Sequence, residues 1–114
     1  MPPGDNGTNQ FRERFVRSFL EWVMLSVLQR KPSYGYEIIT TIDRDFGVYI
    51  SPGSLYPILY NLERAGYATG AWDHPERKSR KVYTITPEGE RALREGLDSL
   101  GRVLGSLRRD AETP

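Results

Sequence analysis

The chain has 114 residues, 38% of them hydrophobic and 27% charged, with a net charge of +1, one histidine and no cysteine. That bounds it to one domain with a modest core, and it excludes a disulfide framework, a cysteine nucleophile and a cysteine-ligated zinc. No apolar run approaches the ~20 residues that span a bilayer, so the expectation is a cytoplasmic protein with no membrane partner.

In chain order, the opening "MPPGDNGTNQ" lacks the basic-then-apolar order of a signal peptide and reads as a disordered tail over 1–11. A first helix follows at about 12–30. Phe15, Phe19, Val23 and Val27 form one i,i+4 row, Val16, Leu20, Met24 and Leu28 another, and Trp22 and Leu25 widen the apolar arc. Such a helix is buried on more than one side. Lys31-Pro32 ends it, and Ser33 is expected to cap a second helix, 34–47, with Ile38, Ile39, Ile42 and Phe46 inward and Gly47 as its stop. "VYI" at 48–50 reads as a short strand.

Ser51 and Pro52 suit the N-cap and first turn of a third helix, "SPGSLYPILYNLERAG". Leu55, Ile58, Leu59 and Leu62 share its core face. Pro57 lies inside the run, at a cost of roughly 3 kcal/mol. On a helical wheel it falls opposite the core with Gly53, Tyr60 and Arg64, flanked by Tyr56 and Asn61. Its ring is expected to crowd the carbonyl of Gly53, the residue with the least side chain. "YATGAW" (67–72) and "KVYTI" (81–85) then read as a hairpin around loop 73–80, and residues 74–81, "HPERKSRK", hold four Lys/Arg against one acid. Thr86-Pro87 opens a last helix reaching about 110, in which Leu93, Leu97, Leu100, Leu104 and Leu107 form a short heptad seam. Gly96, Gly101 and Gly105 each weaken it by about 1 kcal/mol relative to Ala, so it depends on packing, against a partner chain or its own domain.

The fold class is therefore mainly α with a small β-hairpin. Three helices followed by a hairpin with a basic tip is the winged helix-turn-helix plan. The exposed face of the third helix has chemistry suited to DNA. Gly53 allows close approach, Pro57 offers apolar contact, Asn61 can read a base edge, and Ser54, the tyrosines and Arg64 can bond phosphates. The rival reading is a winged-helix protein-interaction module without sequence-specific DNA binding, its basic loop merely solvated. An enzyme is not expected. His74 has only Asp73 and Glu76 nearby, and no metal site, cofactor site or catalytic residue can be assembled.

"PSYGYEI", "SPGSLYPILYNLERAGY", Trp72 and "RKVYTITPEG", in this order from about Phe15 to Gly89, resemble the PadR family of bacterial and archaeal transcriptional regulators. The resemblance implies a homodimeric repressor of double-stranded DNA, with a winged helix-turn-helix over 12–86 and a C-terminal dimerisation helix over 87–110, as in the short subclass. It implies groove-facing roles for Ser51, Gly53, Ser54, Tyr56, Pro57, Tyr60 and Asn61, with Arg64 beside them. Tyr34, Gly35 and Tyr36 would meet phosphates, and Arg77, Lys78, Arg80 and Lys81 would serve the wing. Tyr83 and Ile85 are expected in the core, and Trp72, at a strand end next to the wing, in packing or alternatively in a DNA or ligand role. The dimer interface would draw on Phe15, Phe19, Trp22, Leu93, Leu97, Leu100, Leu104 and Leu107, with Trp22 beside a pocket for a small aromatic effector.

Overall fold

The two apolar rows at the N-terminal end fold as two helices rather than one. In a computed structural model, which describes residues 3–74, 76 and 79–113, α1 spans Pro3–Ser18 and α2 spans Leu20–Arg30. At the junction the Ser18 hydroxyl donates to the Arg14 carbonyl at 2.8 Å, and the Phe19 N–H is shared between Phe15 and Val16 carbonyls at 3.2 Å each. Back-bonding of this kind bends helices, and Phe19 leaves helical geometry at φ −114° and ψ 26°. Residues 3–11, expected as a tail, are helical: proline is compatible with a first turn, and extending a formed helix costs far less than starting one.

The next strand is β1, Ser33–Tyr34, rather than the expected 48–50. Ser33 is consequently not the cap of the second helix; it is buried opposite Tyr83 in the sheet. Tyr34 is the N-cap of α3, Gly35–Phe46, and the Glu37 carboxylate accepts from its N–H at 3.1 Å. Gly47 ends α3 at φ 69°, in the left-handed region that suits glycine. Residues 48–50 cross extended to the next helix. They alternate as a strand does, Val48 and Ile50 buried and Tyr49 exposed, but no strand among the described residues pairs with them, and the Tyr49 carbonyl accepts from Arg17 Nη2 at 3.1 Å.

Helix α4, Pro52–Arg64, begins as expected: the Ser51 Oγ accepts from the Ser54 N–H at 3.3 Å and Pro52 occupies the first turn. It ends in a Schellman arrangement, Gly66 N–H to Glu63 carbonyl at 3.0 Å and Tyr67 N–H to Leu62 carbonyl at 2.9 Å, with Gly66 at φ 80°. β2 (Ala68–Trp72) and β3 (Lys81–Ile85) form the hairpin, and β1 adds to its far edge in antiparallel order β1-β3-β2. α5, Pro87–Glu112, is capped by the Thr86 hydroxyl, which accepts from the Gly89 N–H at 3.0 Å. A Cβ built at Gly89 would overlap the Tyr67 carbonyl, so this start is seated tightly on the α4–β2 turn.

One apolar core joins these elements. Met24, Leu25 and Leu28 of α2, Ile38 and Ile42 of α3, Leu55, Leu59 and Leu62 of α4, and Ile50 of the link are essentially solvent-free. Tyr83 belongs to this core, and the half-buried Ile85 packs on it. α5 reaches it through Leu93 and through Gly96, where a Cβ would overlap the Trp22 indole. The helix-turn-helix pair α3–α4 thus rests on α2, with the hairpin at its flank.

Candidate nucleic-acid interface

Burial of Leu55, Leu59 and Leu62 forces the opposite face of α4 outward, because side chains three and four apart share one side. Gly53, Ser54, Tyr56, Pro57, Tyr60, Asn61 and Arg64 are all exposed, and the cap residue Ser51 is half-buried. Pro57 is therefore where the wheel placed it. Gly53 is not needed to receive its ring, however. A Cβ there would meet only the Ser51 Oγ, at 3.9 Å, an ordinary contact. Nothing among the described residues requires glycine at this position.

The tyrosines divide. Tyr60 is 59% exposed, with the Arg64 guanidinium 5.8 Å from its ring centre. Tyr56 leans inward, and its hydroxyl end lies where a Cβ on Gly35 would sit. Glycine at the start of α3 thus admits that ring, and α3 and α4 interlock at their N-terminal ends. Tyr36 is exposed beside them. Tyr34, Gly35, Tyr36 and Tyr56 line a groove of about 800 Å³ whose other wall is Trp72, Ser79, Arg80, Lys81 and Tyr83 at the wing's base. Trp72 is 43% exposed, on the rim of this groove.

Two ion pairs organise that wall. Lys81 Nζ meets Glu63 Oε1 at 3.1 Å and lies 5.5 Å from the Tyr83 ring centre, tying the C-terminal turn of α4 to β3. Arg80 pairs with Asp73 at 3.1 Å across the loop and stacks on Tyr34, 4.7 Å from its ring centre. Burial pushes the Asp73 carboxyl up, but hydrogen bonds from Arg80, Ser79 and the His74 backbone outweigh it and hold the group below the usual carboxylate range. Burial, with Glu63 and Tyr56 nearby, pushes the Tyr83 hydroxyl up. Arg77 and Lys78 lie outside the described residues. Asp73 was missed in the sequence as a site residue. The hairpin register, with Trp72 opposite Lys81, puts residues 73 and 80 across from one another and was the signal available.

A second groove, of about 640 Å³, lies between α2 and α5 and is lined by Phe19, Trp22, Leu25, Leu97, Leu100 and Val103 among others. Of the residues expected at a dimer interface, Phe15, Leu97, Leu104 and Leu107 are exposed, and Phe19, Trp22 and Leu100 are half-buried. Leu93 is a correction. At 6% exposure it is part of this chain's own core, because the first turns of α5 lie against α2. Among the described residues no helix is long and apolar enough to cross a membrane, and no cluster of His, Asp and Glu is placed to hold a metal ion.

The three packed helices, the edge strand and the hairpin wing define a winged helix-turn-helix protein of the transcriptional-regulator class. A sequence profile described as "Transcriptional regulator PadR-like family" matches residues 24–95, and the chain belongs to that family, whose members are regulators rather than enzymes. It is 41% identical over 63 residues to "Transcriptional regulator Rv3488" of Mycobacterium tuberculosis, a match covering 52% of this chain and 59% of that regulator's length. Among solved structures, a PadR family transcriptional regulator from Eggerthella lenta is 32% identical with a TM-score of 0.82, over 96% of both chains. A transcriptional regulator from Clostridium thermocellum is 28% identical with a TM-score of 0.75, over 84% of this chain and 96% of that one.

Proposed function

We propose that this chain is a homodimeric repressor that binds a pseudo-palindromic DNA operator. α4 enters the major groove, the start of α3 meets phosphates beside it, and the wing lies along the backbone. The observation that carries this reading is the outward face of α4. It combines a glycine that the fold does not need, a helix-interior proline, and Tyr60, Asn61 and Arg64, all exposed on the side away from the core. Asn61 reads a base edge, Pro57 makes apolar contact, and Ser51, Ser54, Tyr34, Tyr36, Arg64, Lys81 and the wing cations meet phosphates.

Association is supported by apolar side chains that the chain leaves uncovered. Phe11 and Phe15 of α1 are 57% and 62% exposed, and Leu97, Val103, Leu104 and Leu107 of α5 are 48–58% exposed. Two copies place two α4 helices on one duplex, so half-sites are expected about one helical turn apart or a multiple of it. The groove beside Trp22 has the size and apolar lining for a small aromatic effector.

The test is a gel-shift and footprint on duplex DNA from upstream of the chain's own coding sequence. Binding is expected to fall steeply with salt, through counterion release. Asn61→Ala should change sequence preference, whereas loss of a wing cation should weaken all sequences alike. A folded protein that shifts no duplex at low salt would leave the winged-helix protein-interaction module as the better reading.

A further inference from the structure

Arg80 is held from two sides. Its Nε donates to Asp73 Oδ2 at 3.1 Å, its Nη1 donates to the Tyr34 hydroxyl at 3.1 Å, and its guanidinium lies over the Tyr34 ring. Asp73 closes the same loop. Its Oδ1 accepts from the Arg80 N–H and the Ser79 hydroxyl, both at 3.2 Å, while its own N–H donates to the Arg80 carbonyl at 2.8 Å. Among the described residues Arg80 Nη2 has no partner, and the side chain is still 56% exposed.

On charge alone, an acid at the base of a basic wing is a handicap for a polyanion-binding surface. Geometry reverses the sign. A planar guanidinium held at both Nε and Nη1 keeps its Nη2 donors in one orientation, so less rotamer freedom is lost when an oxyanion arrives. Resting on the DNA-binding reading above, we propose that Asp73 is a positioning residue for DNA affinity: it pins Arg80 against Tyr34 so that the free Nη2 edge meets a backbone phosphate beside the groove that α4 enters. The acid contributes to binding through the arginine and touches no nucleotide itself.

The experiment compares wild type, Asp73→Asn, Arg80→Ala and the double variant by fluorescence anisotropy over a potassium chloride series. The probes are the upstream duplex and a scrambled duplex of equal composition. Asp73→Asn is expected to weaken both duplexes about three- to fivefold, the upper part of the range of an exposed ion pair. Arg80→Ala should make the salt slope shallower by about one, as for one lost phosphate contact. In the Arg80→Ala background Asp73→Asn should have no further effect. Equal or tighter binding by Asp73→Asn overturns the proposal, as does an undiminished loss without Arg80. Circular dichroism checks folding. If Asp73→Asn is unfolded, Asp73→Ser, which keeps a small polar side chain and removes the carboxylate, runs the same cycle with the same expected loss of effect without Arg80. A wild type that binds neither duplex at low salt fails one step earlier, sinking the DNA reading and this proposal with it.

Discussion

Gly53→Ala separates the demands of the fold from those of binding. Gly53 is the second residue of α4, and an added Cβ meets only the Ser51 Oγ at 3.9 Å, clear of the Pro57 ring. The folded state therefore accepts alanine without a clash, and the unfolded chain loses freedom. Gly→Ala at a compatible site stabilises by about 0.4–1 kcal/mol. For a domain of this size that raises Tm by roughly 2–4 °C, taking about 4 °C per kcal/mol. Binding should move the other way. Specific interfaces pack as densely as protein interiors, and one extra methyl in such a contact costs about 1–3 kcal/mol, or roughly 5- to 150-fold in Kd. Thermal melting and anisotropy on the same preparations measure both. A lower Tm refutes the open-space reading of Gly53, and unchanged affinity refutes its place at the closest approach to DNA.

Gly96→Ala should do the opposite to the fold, because the new methyl overlaps the Trp22 ring; overpacking costs about 1–3 kcal/mol, and urea unfolding followed by tryptophan emission should show it. Asp45 accepts hydrogen bonds from Arg44 and from Arg30, which hold its carboxyl well below the usual carboxylate range. A depressed carboxylate stabilises the fold above its unfolded pKa, about 3.9, and that contribution is lost as pH falls through the lower folded value. Asp45→Asn should therefore flatten the acid limb of a Tm-against-pH curve below about pH 4 and leave its shape at pH 6–8 alone. Leu104→Asp, on the exposed side of α5, should leave the monomer fold intact and shift sedimentation toward the monomer. DNA affinity should fall with it, since each copy then binds one half-site.

Much of the fold was legible because its boundaries are written in local chemistry. Ser51-Pro52, Thr86-Pro87, Gly47 and Gly66 act within one turn of themselves, and each stands at an element's end as expected. The core face of α4, and hence its outward face, followed from periodicity alone. The misreadings share a different cause. A strand exists only where an edge is available to pair with it. Val48, Tyr49 and Ile50 have the alternation but no edge, while Ser33 and Tyr34 lie against Tyr83 and Val82, far away in sequence. The break at Phe19 lies in backbone angles, φ −114° and ψ 26°, beside a Ser18 back-bond to Arg14, and no apolar pattern encodes it. In the candidate site the α4 residues were legible. The Arg80–Tyr34 stack joins residues 46 apart and became visible only with the sheet in place.

The family match ends at residue 95, and α5 continues to Glu112. Its fastening to its own chain ends early: Gly89 and Leu93 are its buried residues, and a Cβ at Gly101 would meet nothing. A helix stretch with glycines at 101 and 105 and no fully buried side chain among the described residues is marginal in water. In the homodimer proposed above, order in that outer half would be a matter of mass action. Amide hydrogens beyond Leu104 should exchange quickly in dilute protein and slow as concentration rises, while those of α2 stay protected throughout. On that proposal, the length of folded helix in this molecule is a function of how much of the molecule is present.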